Sequence, residues 1–148
     1  METEADRIRF QQRAELIKTG HAWRAPNGLI FAFQKFLAEL PWGEHALDIR
    51  RMPTVERINS HRMPEPDLHA WLNESRIAKR PRVGVYWSAF EPVLVVETEW
   101  ALKRLEWLAE FHPLGLFLFG LELEDDKWAP HFEDWLQYDG RFSFTAVR

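Results

Sequence analysis

Residues 82–123 place the tightest limits on the fold of this chain. Two short runs of β-branched and aromatic residues, 83–87 and 93–96, flank residues 88–92, which have turn-forming composition and end in proline. This arrangement predicts a β-hairpin. Residues 114–121 are apolar at almost every position, and such a run is too short to cross a membrane and typical of a strand buried on both faces. We therefore expect it to form a central strand.

The sequence period changes between the hairpin and this central strand. Charged side chains recur there at helical spacing, and large apolar residues occupy the positions between them. The pattern predicts an amphipathic helix near residues 99–111. Its charged face consists of Glu99, Lys103, Glu106 and Glu110.

Weaker signals complete the predicted fold, which is α+β in one domain, residues 1–148. We expect a roughly four-stranded antiparallel or mixed sheet, covered on one side by helices. Residues 41–66 are punctuated by prolines and are predicted to be largely irregular. Strands are predicted near 83–88, 92–96, 115–122 and 141–147, and helices near 4–18, 29–40, 67–77, 99–111 and 130–137.

Cysteine is absent from the 148 residues. Its absence excludes disulfides, thiolate zinc sites and cysteine nucleophiles, and it fits a reducing compartment. The first residues are charged and lack the apolar run of a secretory signal. These features predict a cytoplasmic protein.

Charge is distributed unevenly although the net charge is only −4, which indicates no general attraction to nucleic acid or membrane. Residues 50–82 carry eight basic and four acidic side chains, whereas residues 122–139 carry seven acidic ones and Lys127. Either the two segments lie against each other in the fold, or the acidic segment meets a partner. Nucleic-acid binding through the basic segment is disfavoured by its interspersed carboxylates.

Common catalytic signatures are missing from the sequence. There is no phosphate-binding loop, dinucleotide fingerprint, His-Glu-x-x-His helix or Gly-x-Ser-x-Gly motif. The sequence therefore indicates no cofactor and favours a non-enzymatic function.

A metal site is the enzymatic alternative. Asp125-Asp126-Lys127 follows the central strand, and nucleases of the restriction-enzyme type place an acidic pair and a lysine at such a strand end to hold Mg²⁺. With Glu97 as a further ligand, this set would indicate a metal-dependent hydrolase or nuclease; otherwise it is a solvated turn. A second set of possible metal ligands lies close together in sequence, although spacing alone does not establish a site: His61, Glu65, Asp67 and His69.

The acidic segment favours a protein-binding function instead. Immunity-type proteins that block a basic toxin or enzyme site use carboxylates to steer encounter and aromatic residues as anchors. A surface that only maintains solubility is the alternative, and a homodimer through exposed tryptophans is a further option. The predicted partner-binding residues are Asp125, Asp126, Glu133 and Asp134 for charge, and Trp128, Trp135 and Tyr138 as anchors.

Overall fold

A computed structural model describes residue 14 and residues 16–148. Its strands are β1 (Ala22–Arg24), β2 (Val55–Asn59), β3 (Arg82–Tyr86), β4 (Leu94–Glu97), β5 (Leu116–Glu124), β6 (Lys127–Tyr138) and β7 (Ser143–Val147). They form one seven-stranded sheet in the order β1-β4-β3-β5-β6-β7-β2. Every neighbouring pair is antiparallel.

The helices of the described residues are short. Apart from the helical residues 14 and 16–18, they are α1 (Asn27–Ala38), α2 (Glu65–Glu74), α3 (Thr98–Leu102) and α4 (Leu105–Ala109). Three single-turn 3₁₀ helices cover Ile49–Arg51, Ser60–Arg62 and Arg76–Lys79. None of the helices in this part of the chain is long and apolar enough to cross a membrane.

Residues 82–123, which constrain the fold most, form the middle of the sheet. The predicted hairpin is confirmed, because β3 and β4 pair antiparallel from Arg82↔Glu97 to Val85↔Leu94. The apolar run becomes β5, which has three strands on each side. Burial on both faces explains why this strand shows no alternation of polar and apolar residues.

Helices cover both faces of the sheet, so the prediction of a single covered face is wrong. One face packs against α2, α3 and α4 around a core that includes Leu72, Ile77 and Leu108. The other face packs against α1, whose fully buried Phe33 stacks on Phe119 of β5 with ring centroids 4.5 Å apart. The apolar breadth of α1 is explained by this second core.

The prediction of roughly four strands is also wrong, since three further strands join the sheet. β1 has only three residues, and β2 is a half-buried edge strand between prolines at positions 53 and 64. Residues 130–137, predicted to be a helix, lie within β6. The four predicted strands coincide approximately with β3, β4, β5 and β7.

Two predicted helices have a different outcome from the rest. The amphipathic helix near 99–111 is interrupted at Lys103 and Arg104, so that α3 and α4 are separate. Most of the helix predicted near 4–18 lies outside the described residues. Within that range, the structure describes residue 14 and residues 16–18, and these are helical. The helices predicted near 29–40 and 67–77 correspond to α1 and α2, with the 3₁₀ helix Arg76–Lys79 following α2.

Candidate functional site

The connection between β5 and β6 is a two-residue hairpin turn made by Asp125 and Asp126. Glu124 pairs with Lys127 on either side of it. Asp125 has φ 50° and Asp126 has φ 63°, and positive φ at both central residues is the requirement of a type I′ turn. Asn-Gly is the usual solution at such a turn, so the two aspartates occupy a backbone conformation that costs free energy. We call residues 123–128 the acidic tip.

Beyond the acidic tip, the ladder between β5 and β6 contains a large bulge. Gly120 pairs with His131 while its neighbour Phe119 pairs with Trp135, so that residues 132–134 are inserted without partners on β5. A bulge redirects side chains locally. Here it places Phe132 in the second core and brings the next two acidic residues towards Arg80.

Arg80 lies at the centre of an ion-pair cluster that joins the basic and acidic segments. Its Nε donates to Asp134 Oδ2 at 2.7 Å, and its Nη1 donates to Glu122 Oε1 at 2.8 Å. Glu133 Oε1 lies 3.8 Å from Nη2. Arg76 Nε is 2.8 Å from Asp134 Oδ1, an ion pair without hydrogen-bond alignment. Part of the charge asymmetry in the sequence is therefore satisfied within the fold.

The environment of Arg80 keeps its guanidinium charged. Burial lowers the pKa of this side chain, but its hydrogen bonds to Asp134 and Glu122 outweigh burial, and the net pKa is raised. Asp134 is only 2% exposed. A buried carboxylate needs such a partner, because an unpaired charge in the interior is strongly unfavourable.

His131 lies beside this cluster and connects it to the acidic tip. Its Nδ1 is 3.5 Å from Glu133 Oε1, and its Nε2 is 3.7 Å from Glu122 Oε2. The Nε2 atom is buried and makes no hydrogen bond with any described residue. Ligand atoms of Glu122, Glu124 and His131 all lie within 4.8 Å of one another.

The predicted partner-binding residues separate into two groups. Asp125, Asp126 and Glu133 are exposed. The other four are buried to different degrees: Trp128 is half-buried against the second core, and Asp134, Trp135 and Tyr138 are 2%, 2% and 4% exposed. A residue must be accessible to contact a partner, so Asp134, Trp135 and Tyr138 lie within the fold and not on a contact surface.

The residues of the predicted hydrolase site do not assemble. Glu97 pairs with Arg82, which pairs with Leu121 of β5, so Glu97 is two strands across and four residues along from Asp125. Standard strand spacing puts about 16 Å between their backbones. In the described part of the chain, the three-residue group with metal-ligating geometry is Glu122, Glu124 and His131.

The second set of possible metal ligands lies around the start of α2. His69 Nε2 is 3.5 Å from Glu65 Oε1, and both side chains are largely exposed. Asp67 is exposed on the same helix, and His61 lies against Phe142 with ring centroids 5.9 Å apart. These residues therefore form a surface pair and two separate side chains.

Two adjoining grooves run between α2 and the α3–α4 region. Their volumes are about 920 Å³ and 660 Å³, and both are lined in part by His69, Leu72 and Lys103. Charged side chains contribute to both linings, whereas small-molecule sites are predominantly apolar and enclosed. We therefore place the candidate functional site at the acidic tip and the adjoining cluster.

Sequence reasoning missed Arg80, Glu124 and His131 as members of one site. A two-residue turn at 125–126 would have fixed the hairpin register and placed Glu122, Glu124 and His131 on one face of the sheet. The Asp125-Asp126 pair is the sequence signal for this turn. The large apolar residues of 130–137 recur at helical spacing, however, and so predict a helix where the second strand of the hairpin lies. The bulge at residues 132–134 produces this spacing within a strand.

Comparisons of this chain with protein families, with curated proteins and with solved structures find no match.

Proposed function

We propose that this chain is a protein-binding inhibitor of the immunity type, which docks its acidic tip into a basic site on another protein. In a chain without cysteine, the reducing cytoplasm is the compartment in which it would act. The partner class is a toxin or enzyme whose active site is lined by lysine or arginine. Its binding would use the exposed carboxylates for encounter and nearby apolar surface for affinity.

The observation that carries this proposal is an exposed, strained turn whose negative charges are uncompensated. The side chains of Glu124, Asp125 and Asp126 make no ion pair with any described residue. Two adjacent aspartates with positive φ are unfavourable for the isolated fold, both by backbone strain and by mutual repulsion. Strain of this kind concentrates at functional sites.

The two faces of the acidic tip supply different contacts. Leu123 is 57% exposed and pairs across the hairpin with half-buried Trp128. Glu124 and Lys127 pair on the opposite face. A partner that encloses the tip would therefore meet an apolar pair on one side and carboxylates on the other. Of the three predicted anchors, Trp128 is therefore kept, and Leu123 replaces Trp135 and Tyr138, which are buried.

A role limited to solubility accounts less well for these features. Solubility needs dispersed surface charge, which the exposed faces of α2 and α3 already carry. It does not require aspartate where asparagine and glycine fit the turn better. The combination of strain, clustered charge and an exposed leucine favours recognition.

The test replaces the charges while keeping the turn. Asp125→Asn with Asp126→Gly gives the sequence that a type I′ turn prefers, so we expect the free energy of unfolding to rise by about 1 kcal/mol. Native mass spectrometry of wild-type protein from its producing cells, at low salt, identifies the companion. The association rate of the purified pair, measured in stopped flow, should fall at least tenfold in the double variant and lose most of its salt dependence.

A matched control removes two charges elsewhere. Glu65 and Asp67 are exposed on α2, and Glu65→Gln with Asp67→Asn changes the net charge by the same amount. This control should associate at nearly the wild-type rate. Equal rates for both double variants, or a companion whose binding does not respond to the hairpin substitutions, would contradict the proposal.

A further inference from the structure

We infer that Glu122, Glu124 and His131 form a binding site for a divalent transition-metal ion such as Zn²⁺. The ion would join β5 to β6 between the acidic tip and the ion-pair cluster. This inference does not rest on the proposed inhibitory function, although the two share Glu124; metal binding is measured on the chain alone, so either one can fail without the other.

The first argument is the geometry of the three side chains. Glu122 and Glu124 are two residues apart on β5, so they project from the same face, and His131 lies on that face of β6 opposite Gly120. Their ligand atoms lie within 4.8 Å of one another. A tetrahedral zinc site with bonds of about 2.0–2.1 Å has ligand atoms about 3.3 Å apart. The 3.7 Å separation of His131 Nε2 from Glu122 Oε2 is close to that value.

The second argument is the state of the imidazole. Nε2 of His131 is buried and has no hydrogen-bond partner among the described residues, although buried polar atoms normally have one. The other ring nitrogen, Nδ1, faces Glu133 Oε1 at 3.5 Å. This contact is an ion-pair distance and not a hydrogen bond in the structure. Metal-bound histidines commonly donate their second ring N–H to a carboxylate, and Glu133 is the carboxylate placed to accept it from Nδ1.

The third argument is that Arg80 orients the Glu122 carboxylate, and that the carboxylates around the site carry negative charge that the arginines do not neutralise. Arg80 binds Oε1 of Glu122 at 2.8 Å, which leaves Oε2 directed at the histidine. Glu124 makes no ion pair with any described residue. The local carboxylates also outnumber the two arginines of the cluster: they are Glu122, Glu124, Glu133 and Asp134.

The ligand set selects the class of metal. One imidazole nitrogen and two carboxylate oxygens suit Zn²⁺, Co²⁺ and Mn²⁺ better than Ca²⁺, which prefers more oxygen ligands. Three protein ligands leave a coordination position for water or an external group. A bound ion would cross-link the two strands beside the bulge and so stabilise the hairpin that carries the acidic tip.

The experiment titrates tag-free protein with zinc chloride by calorimetry and with cobalt chloride by visible absorption. We expect one equivalent of Zn²⁺ to bind and a cobalt spectrum typical of nitrogen and oxygen ligands. Glu124→Gln, at an exposed position without an ion pair, should weaken zinc binding at least tenfold without altering the fold. His131→Gln should do the same and remove the cobalt spectrum.

The matched control is His69→Gln, which removes an exposed histidine that also lies 3.5 Å from a glutamate. Zinc affinity should be unchanged in this variant. Absence of stoichiometric binding by the wild type, or equal affinities in the wild type and Glu124→Gln, would overturn the inference. A stronger effect of His69→Gln than of His131→Gln would do so as well.

Discussion

Gly120 lies directly beneath the side chain of Arg80. A Cβ atom built on Gly120 would be 2.7 Å from Arg80 Cγ and 3.3 Å from Cδ. The absence of a side chain on β5 therefore lets the arginine cross this strand and reach Asp134 on β6. The ion-pair cluster depends on a glycine as much as on its charges.

The contact between Gly120 and Arg80 leads to the first prediction. Gly120→Ala should lower the free energy of unfolding by about 1–3 kcal/mol, because the arginine stem is held at its far end and cannot move aside freely. Chemical denaturation followed by tryptophan fluorescence measures this change. Gly28→Ala is the matched control: nothing lies within 4 Å of its added Cβ, and it is in the first turn of α1.

The control should be neutral or stabilising by up to about 1 kcal/mol, since alanine favours helix more than glycine does. If Gly120→Ala is as stable as Gly28→Ala, the close approach of Arg80 to β5 is not a constraint on the fold.

The sequence predicted the middle of the sheet well because local pattern and tertiary environment agree there. Residues 83–87 and 114–121 are apolar because both faces of β3 and β5 are covered. The same apolar character identifies them in the sequence as central strands. The turn at 88–92 has enough local chemistry to specify a hairpin. No long-range information was required for these elements.

The outer strands and the candidate site were harder to predict because they depend on long-range pairing. β2 pairs with residues of β7 that lie 84 to 92 positions further along the chain, from Asn59↔Ser143 to Val55↔Val147. Its polar residues give it no clear strand period. In β6, the bulge interrupts the alternation of side chains, so that the positions of Phe132, Trp135 and Leu136 resemble a helix. The same bulge buries Asp134, which composition alone identified as a surface charge.

A second prediction concerns the two tyrosines of the chain, Tyr86 and Tyr138. Burial raises the pKa of Tyr86, partly offset by a hydrogen bond with Gln34. Burial also raises the pKa of Tyr138, and the nearby charges of Glu106 and Asp139 raise it further. Both hydroxyls should therefore remain neutral in the folded protein at a pH where free tyrosine, with a pKa near 10, ionises.

The sign of the pH dependence follows from proton counting. Above about pH 10 the unfolded chain loses its tyrosine protons while the folded chain keeps them, so stability decreases as pH rises. Tyrosinate absorbance should show a higher midpoint for the folded protein than for the denatured one. Tyr138→Phe, which retains the ring stacked 4.1 Å from Phe144, should remove half of the amplitude. A folded midpoint at or below the denatured one would contradict burial of both hydroxyls.

The third prediction measures the strength of the ion-pair cluster. Arg80→Ala removes the cation nearest to Asp134 and leaves this buried carboxylate with only Arg76 in ion-pair contact among the described residues. We expect a loss of about 1.5–3 kcal/mol in the free energy of unfolding, because Asp134 loses its charged hydrogen bond while the ion pair with Arg76 remains. Equilibrium denaturation at low and high salt measures it, and the loss should persist at high salt because buried pairs are screened little.

An exposed pair of similar length provides the control. Lys103 Nζ lies 3.0 Å from Glu99 Oε1, but these side chains are 63% and 83% exposed. Lys103→Ala should therefore change stability by less than about 1 kcal/mol. Combining Arg80→Ala with Asp134→Asn should lower stability less than the two single losses added together, since the second substitution removes the charge that the first leaves unpaired. Additive losses, or an Arg80→Ala effect no larger than that of Lys103→Ala, would show that burial of Asp134 does not depend on Arg80.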